Sequence, residues 1–161
     1  MIETERCFIH SFQKSDSEDV KELYGNEEVR KYLGGVRDED SMEVALQEVL
    51  QSNDGSHYWV VRKKDGNHFL GMVSLSPHHD GVYFEVSYQF LPKWWGVGYA
   101  TEVVQAVLDY AFVEMKLSKV VAETQTANVD SCRLLERLGM SVEKTLERFG
   151  AEQALYSITN R

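Results

Sequence analysis

Two glycines stand directly before a helix-like stretch, in the segment LPKWWGVGYAT (residues 91–101). A helix N-terminus has about four backbone N–H groups without intrahelical partners and roughly half a positive charge. Gly96 and Gly98 would let a phosphate approach those groups without a Cβ in the way. Thr101 adds a hydroxyl on the first turn. These residues therefore predict an anion site, with phosphate as the expected ligand.

Two common phosphate loops do not fit this segment. A Walker loop needs Gly-Lys-Ser/Thr, whereas Tyr99, Ala100 and Thr101 follow the second glycine. A dinucleotide fingerprint needs Gly or Ala at the Thr101 position and normally opens an early βαβ unit. The glycines taken alone are also typical of an ordinary strand-to-helix turn, so that alternative stays open here.

Three other stretches of the sequence carry polar side chains that could take part in chemistry. Glu85 interrupts the alternating strand VYFEVSYQF; partial burial would raise its pKa from about 4.3 towards the range of a base, whereas an exposed strand face would leave it solvated. Asn128 and Ser131 open a helix, where both are ordinary caps. The adjacent His78 and His79 could bind a metal, but no Cys, Asp or Glu completes a ligand spacing around them, so we expect a polar turn and no metal.

The elements that position these residues follow from the hydrophobic period. Helical spacing before residue 55 gives way to strand alternation over residues 57–90, with Asp65-Gly66 as a hairpin turn. Helical spacing returns from Ala100, and a strand, a helix over residues 128–138 and two further strands follow. This order predicts a mixed α/β fold in one domain, residues 1–161. Ser15 and Glu18 have capping-box spacing at the first helix, and Asn26 can cap the second.

Composition excludes some classes of protein. The net charge of −9 argues against nucleic-acid binding and suits a cationic amine ligand. No apolar run approaches the roughly 18 residues of a membrane span, and the charged N-terminus has no signal-peptide core, so we expect a cytoplasmic protein without a membrane partner. Cys7 and Cys132 are the only cysteines and are expected to be structural thiols. A homodimer is compatible with the sequence, although no motif predicts one.

A longer window, EVSYQFLPKWWGVGYATEVVQAVLDYAF, resembles the coenzyme-A-binding segment of the GNAT superfamily of N-acetyltransferases. That family joins its fourth strand to the next helix by Arg/Gln-x-x-Gly-x-Gly/Ala, and here Lys93 departs from the first position. The opening ETERCFIHSF with VRKYLGG and the later NVDSCRLLERLGM also match, so the resemblance covers nearly the whole chain. PKWWGVGYATE is most similar to the branch that includes the ribosomal-protein alanine N-acetyltransferases, although Met140 stands where that branch usually has Phe.

The resemblance implies a fold, an activity and a set of site residues. The implied fold is a central mixed, mostly antiparallel sheet flanked by helices. The implied activity is acetyl transfer from acetyl-CoA to a primary amine, on a small molecule or a protein N-terminus, by direct attack in a ternary complex. The implied coenzyme A contacts are Phe90, Leu91, Lys93, Trp95, Gly96, Val97, Gly98, Tyr99, Ala100, Thr101, Asn128 and Ser131.

The resemblance also assigns catalytic roles. Glu85 would be the general base, and Ser87 replaces a glycine of the family pattern beside it. Ser131 or Tyr156 would be the general acid. A backbone N–H near Phe90 or Leu91 would stabilise the oxyanion. Trp94 and Trp95 are expected mainly to brace the glycine turn.

Two other functions remain as alternatives. A non-catalytic acyl-CoA-binding or sensing module would keep the glycine turn without productive chemistry. A nicotinamide oxidoreductase is disfavoured by Thr101 and by the late position of the glycines. The acceptor amine is not readable, because the helices before residue 55 shape its cleft.

Overall fold

The structure, a computed structural model, describes residues 1–160; Arg161 of the predicted domain lies outside them. The helices are α1 (Ser17–Tyr24), α2 (Glu27–Arg30), α3 (Glu39–Gln51), α4 (Tyr99–Val113) and α5 (Val129–Arg137). The strands are β1 (Ile2–Glu3), β2 (Cys7–Ser11), β3 (His57–Lys63), β4 (Phe69–Pro77), β5 (Phe84–Phe90), β6 (Lys119–Gln125), β7 (Ser141–Arg148) and β8 (Ala151–Thr159). Within residues 1–160, no helix is both long enough and apolar enough to cross a bilayer.

All eight strands form one sheet in the order β1-β2-β3-β4-β5-β6-β8-β7. Every neighbouring pair is antiparallel except β5 and β6, which are parallel. This confirms the expected mixed, mostly antiparallel sheet flanked by helices.

The parallel pair is short, and this leaves a gap in the middle of the sheet. Only Phe84 with Val120 and Glu85 with Val121 are in register. Residues 86–90 of β5 and 122–125 of β6 continue without pairing to each other, while β6 stays paired to β8. The two strands therefore diverge towards their carboxyl ends and leave a wedge-shaped space, called here the β5–β6 opening.

Helices cover the two faces of the sheet and give each face its own core. Helices α4 and α5 pack on one face, where Val86 and Phe90 of β5 join the core. Helices α1 to α3 pack on the other face, over Val60 of β3 and Met72 of β4. Because side chains alternate along a strand, the odd-numbered residues of β5 face the α1–α3 side. Glu85 therefore faces the α1–α3 side of the sheet, and Tyr88 faces the α4–α5 side.

Several local predictions hold, and one is wrong. Asn26 caps α2 by accepting the Val29 N–H at 3.0 Å, as predicted. The hairpin at Asp65-Gly66 also forms between β3 and β4. The Ser15–Glu18 capping box does not form. Instead a 3-10 turn over residues 14–16 precedes α1, and Asp16 accepts the Gln13 N–H at 2.9 Å. The buried Asp16 also binds Arg62 at 3.0 Å, and this tertiary ion pair holds the 3-10 turn in place before α1.

Candidate active site

The glycine turn presents a row of backbone donors at the start of α4. Gly96 and Gly98 have φ angles of 80° and 87°, which favour glycine over residues with a Cβ. No side chain caps α4, and its first backbone hydrogen bond runs from the Glu102 N–H to the Gly98 carbonyl at 3.0 Å. Within residues 1–160 the N–H groups of 96–101 have no acceptor. The space where a Cβ on Gly96 would stand is open, so an anion has room to approach these N–H groups.

Arg6, the residue directly before β2, supports this turn with its side chain. Its Nε donates to Glu102 Oε1 at 2.7 Å and its Nη1 to the Val97 carbonyl at 3.0 Å. Thr4 Oγ1 donates to Glu102 Oε2 at 2.6 Å. Partial burial opposes ionisation of Glu102, but the hydrogen bonds from Thr4 and Arg6 hold the pKa of this carboxyl below its usual value. Sequence reasoning missed this arrangement, because 96 residues separate Arg6 from Glu102.

The two tryptophans tie the turn to the sheet. The Trp94 indole N–H donates to the Phe69 carbonyl at 3.2 Å, and its ring meets Tyr99 edge-on. The Trp95 indole N–H donates to the Phe90 carbonyl at 2.8 Å, while the residue stays 47% exposed. Trp94 therefore braces the turn by packing, and Trp95 adds a hydrogen bond and an exposed ring beside it.

Only one of the two backbone groups expected to stabilise an oxyanion is free to do so. The Leu91 N–H donates to the Leu70 carbonyl of β4 at 2.9 Å, so it is already used. Along an antiparallel ladder, successive residues point their N–H groups to opposite sides. The Phe90 N–H is therefore directed away from β4, towards the β5–β6 opening, and the expectation narrows to Phe90.

Glu85 lies at the closed end of the β5–β6 opening, where it forms the last residue pair with Val121. Its Oε2 accepts the Glu123 N–H at 3.3 Å. Burial raises the pKa of the Glu85 carboxyl, and the charge of Glu123 adds to this, whereas His78 and Arg148 oppose it. A carboxylate with a raised pKa is better suited to accept a proton near neutral pH.

Ser131 meets a partner that the sequence did not predict. The hydroxyls of Tyr88 and Ser131 are 2.6 Å apart, which links β5 to the first turn of α5 across the opening. Asn128 caps α5 by accepting the Ser131 N–H at 3.3 Å, so its ordinary capping role is present. Burial raises the pKa of Tyr88 to about 12, against the effect of the Ser131 hydrogen bond. Tyr88 therefore keeps its proton at neutral pH. Tyr88 lies in the alternating strand VYFEVSYQF, and that pattern gives no sign of a contact with Ser131.

Tyr156, the other residue predicted as an acid, has a different partner. It lies on β8, is 3% exposed, and donates its hydroxyl to Glu136 Oε2 at 3.0 Å. Burial and the neighbouring Cys132 and Glu136 raise the pKa of Tyr156. The structure thus brings Ser131 together with Tyr88 rather than with Tyr156.

The histidine pair was expected to be a polar turn, but its side chains belong to a partly buried cluster. His78 is 3% exposed, and its Nε2 lies 2.9 Å from Glu123 Oε1. His79 Nε2 lies 3.0 Å from the same oxygen, and Arg148 Nη1 donates to Glu123 Oε2 at 3.1 Å. The sequence concealed this cluster because Glu123 is 45 residues from His78 and reaches it only through the sheet.

A small cavity lies on the α1–α3 face of the sheet, beside the odd-numbered residues of β5. Its volume is about 90 Å³, and its lining includes Tyr24, Tyr58, Met72, Ser74, Ser87 and Gln89. Gln89 Oε1 is buried there without a hydrogen-bond partner among residues 1–160. Buried polar atoms are normally paired, so this oxygen is a candidate contact for a ligand.

Comparison with known proteins identifies the family. The model of the acetyltransferase (GNAT) domain matches residues 6–141. The chain belongs to the GNAT acetyltransferase family. It is 27% identical over 157 residues to the uncharacterized N-acetyltransferase YoaA of Bacillus subtilis, covering 92% of this chain and 87% of that protein. The family and its relatives identify the chain as an N-acetyltransferase, an enzyme of a family that uses acetyl-CoA.

Solved structures agree on the fold. A GNAT-family acetyltransferase from Bacillus anthracis is 29% identical, with a TM-score of 0.85 over 98% of this chain and 97% of that chain. Spermidine N-acetyltransferase from Vibrio cholerae, solved with CoA and spermine, is 20% identical with a TM-score of 0.82 over 95% of both chains. Ribosomal-protein-S5-alanine acetyltransferase from Vibrio fischeri is 21% identical with a TM-score of 0.82, over 98% of this chain and 95% of that chain. The last two show likeness of fold alone.

Proposed function

We propose that this chain transfers the acetyl group of acetyl-CoA to a primary amine by direct attack in a ternary complex. The observation that carries the proposal is the β5–β6 opening, which has a carboxylate at its closed end and a pair of hydroxyls on the opposite face of the sheet. Glu85 belongs to the α1–α3 side, and the Tyr88–Ser131 pair to the α4–α5 side. Acetyl transfer needs one group to take a proton and another to give one, and this arrangement separates the two.

The glycine turn is the proposed binding site for the coenzyme A pyrophosphate. Its support is the row of N–H groups at 96–101, which find no acceptor among residues 1–160, and the positive end of the α4 dipole. Beyond the last residue pair, Tyr88 turns its backbone polar groups towards the opening, where an amide group of the pantetheine arm could pair with them. The remaining coenzyme A contacts implied by the resemblance, including Asn128, are part of this proposal.

Glu85 is the proposed general base. An attacking amine must be neutral, yet α-amino groups have pKa values of about 7.7–8.0 and lysine about 10.4. Glu85 would remove the proton directly or through a water molecule. Its place in the sheet supports this role, because it faces the α1–α3 side and lies next to the opening.

The departing thiolate would take its proton on the other face. Ser131 is the proposed donor, with Tyr88 as the group that resupplies or shares the proton over their 2.6 Å contact. Tyr156 remains a weaker candidate because its hydroxyl is held by Glu136. The Phe90 N–H is the proposed donor to the oxyanion of the tetrahedral intermediate.

The acceptor would enter from the α1–α3 side, where Ser87 and Gln89 line the cavity. The unpaired Gln89 Oε1 suits an acceptor with a second N–H or O–H near its amine. The net charge of −9 favours a cationic acceptor. The solved structures of the same fold include a spermidine acetyltransferase and a ribosomal-protein-S5-alanine acetyltransferase. Polyamines and the N-termini of peptides that begin with alanine are therefore the first acceptors to test.

The test is release of free thiol from acetyl-CoA over a panel of polyamines, amino acids and peptide N-termini. We expect thiol release to depend on one class of amine and to fall in the Glu85→Gln variant. An acyl-CoA-binding module would instead bind acetyl-CoA and raise the melting temperature without releasing thiol in the presence of any amine. That result would refute the proposed function.

A further inference from the structure

We infer that His78, His79 and Glu123 form a binding site for a zinc-type divalent cation at the closed end of the β5–β6 opening. The three side chains come from two distant parts of the chain, the turn after β4 and the strand β6. One ligand atom from each lies within 4.8 Å of the others. Two imidazoles and one carboxylate are a ligand set that zinc uses in proteins, with a fourth position left for water.

Two of the three distances between the ligand atoms are close to those that a zinc ion needs. His78 Nε2 and His79 Nε2 lie 2.9 and 3.0 Å from Glu123 Oε1. Two ligands bound to zinc at about 2.0–2.1 Å with tetrahedral angles are about 3.3 Å apart. The cluster would therefore have to widen by only a few tenths of an ångström at these two contacts. The side chains of His78 and Glu123 are 2% and 6% exposed, so both are already held in place.

The surroundings of the cluster also suit a cation. Asp80 Oδ1 lies 3.2 Å from His78 Nδ1, the position of a carboxylate that orients a metal-binding histidine through its other ring nitrogen. Arg148 holds Glu123 Oε2 at 3.1 Å and leaves Oε1 for a metal. The carboxylates of Asp80, Glu85 and Glu123 outnumber the single guanidinium, which leaves room for two positive charges.

A cation here would fix the closed end of the β5–β6 opening. It would join the turn after β4 directly to β6 and so link the two strands that flank β5. The alternative is a network of ion pairs in which a protonated His78 binds Asp80 and Glu123 without any metal. The two interpretations differ in whether His79 matters for binding a divalent cation.

The test uses the full chain after treatment with a chelator, with Zn²⁺ titrated by calorimetry and Co²⁺ followed by its visible absorption. We expect one Zn²⁺ per chain, a tetrahedral Co²⁺ spectrum and a higher melting temperature with Zn²⁺. His79 is partly exposed, so His79→Ala should fold and should weaken Zn²⁺ binding by a factor of about 100 or more. Asp80→Asn should weaken binding by about 10–100-fold. His10→Ala, which removes a histidine of β2 outside the cluster, is the matched control and should bind Zn²⁺ normally.

Two results would overturn the inference. One is the absence of stoichiometric Zn²⁺ binding by the unsubstituted chain. The other is equal Zn²⁺ affinity in His79→Ala and His10→Ala, which would leave an ion-pair network as the role of the cluster. None of these measurements depends on acetyl transfer, so failure here would leave the proposed function unaffected.

Discussion

The Tyr88–Ser131 contact can be tested by comparing two tyrosines that make similar contacts. Tyr88 and Tyr156 are both largely buried, and each hydroxyl bonds one residue of α5, at 2.6 Å to Ser131 and 3.0 Å to Glu136. Replacing each tyrosine by Phe removes one hydroxyl and keeps the ring. The two variants therefore lose similar contacts, and only one of them is expected to affect acetyl transfer.

The variant that should lose more stability, Tyr156→Phe, is not the variant that should lose more rate, Tyr88→Phe. A hydrogen bond between neutral groups stabilises a fold by about 0.5–1.5 kcal/mol, and one to a charged group by about 1.5–3 kcal/mol. Tyr156→Phe should therefore lower the free energy of unfolding more than Tyr88→Phe does. Loss of a general acid or its proton relay costs about 10²–10⁴ in rate. Because the Ser131 hydroxyl remains, we expect Tyr88→Phe to lower kcat by about 10², near the lower end of that range.

The assay is kcat for thiol release together with urea unfolding of each variant. A change in the unfolding free energy of this size leaves nearly all molecules folded, so kcat reports the chemistry. If Tyr156→Phe loses the rate while Tyr88→Phe keeps it, Tyr156 is the acid, and the assignment made from the Tyr88–Ser131 contact is wrong.

Three further predictions concern the base, the anion site and its support. Glu85→Gln should lower the rate by a factor of about 10²–10⁴ at neutral pH with little change in acetyl-CoA affinity. The loss of rate should shrink as pH rises, because more of the amine is already neutral. Near-normal turnover at neutral pH would exclude Glu85 as the base. Gly96→Ala and its control Gly150→Ala both place a Cβ at positive φ in open space, at a cost of about 1–2 kcal/mol. Only Gly96→Ala should abolish the rise in melting temperature caused by acetyl-CoA. Equal rises in the two variants would show that the phosphate binds at another site. Arg6→Met removes the side-chain hydrogen bonds to Glu102 and Val97 and should raise the KM for acetyl-CoA several-fold while kcat changes little. An unchanged KM would show that the turn needs no support from the Arg6 side chain.

The sequence predicted those parts of the site that depend on local patterns. The alternation around Val86 gave β5, the helical spacing after Ala100 gave α4, and Asn26 was correctly predicted as a cap. Each of these depends on residues within a few positions of one another, where backbone geometry fixes which side chains meet. The family resemblance then supplied the mixed, mostly antiparallel sheet with helices on its faces.

The contacts that complete the site join residues that are far apart in the chain. Tyr88 and Ser131 are separated by 43 residues, and Arg6 and Glu102 by 96. No periodic pattern indicates such pairs, because they form only when the sheet brings β2 beside α4 and β5 beside α5. The capping of α1 failed for the same reason, since the ion pair from Asp16 to Arg62 of β3 is not visible in the local sequence.

The β5–β6 opening leads to a last prediction, which concerns single backbone amides. Because the Leu91 N–H bonds the Leu70 carbonyl, alternation along the ladder directs the Ser87 and Gln89 N–H groups to β4 and those of Tyr88 and Phe90 to the opening. Unpaired N–H groups in the middle of a sheet must bond water or a ligand.

Acetyl-CoA in the opening should therefore slow hydrogen exchange at Tyr88 and Phe90, while Ser87 and Gln89, already bonded, change little. Residue-resolved exchange by NMR with and without acetyl-CoA measures this directly. Equal protection of all four amides would indicate general stabilisation of β5 by a ligand bound elsewhere. Protection that alternates along the strand requires a ligand that pairs with the edge of β5 facing away from β4, and that edge borders the β5–β6 opening.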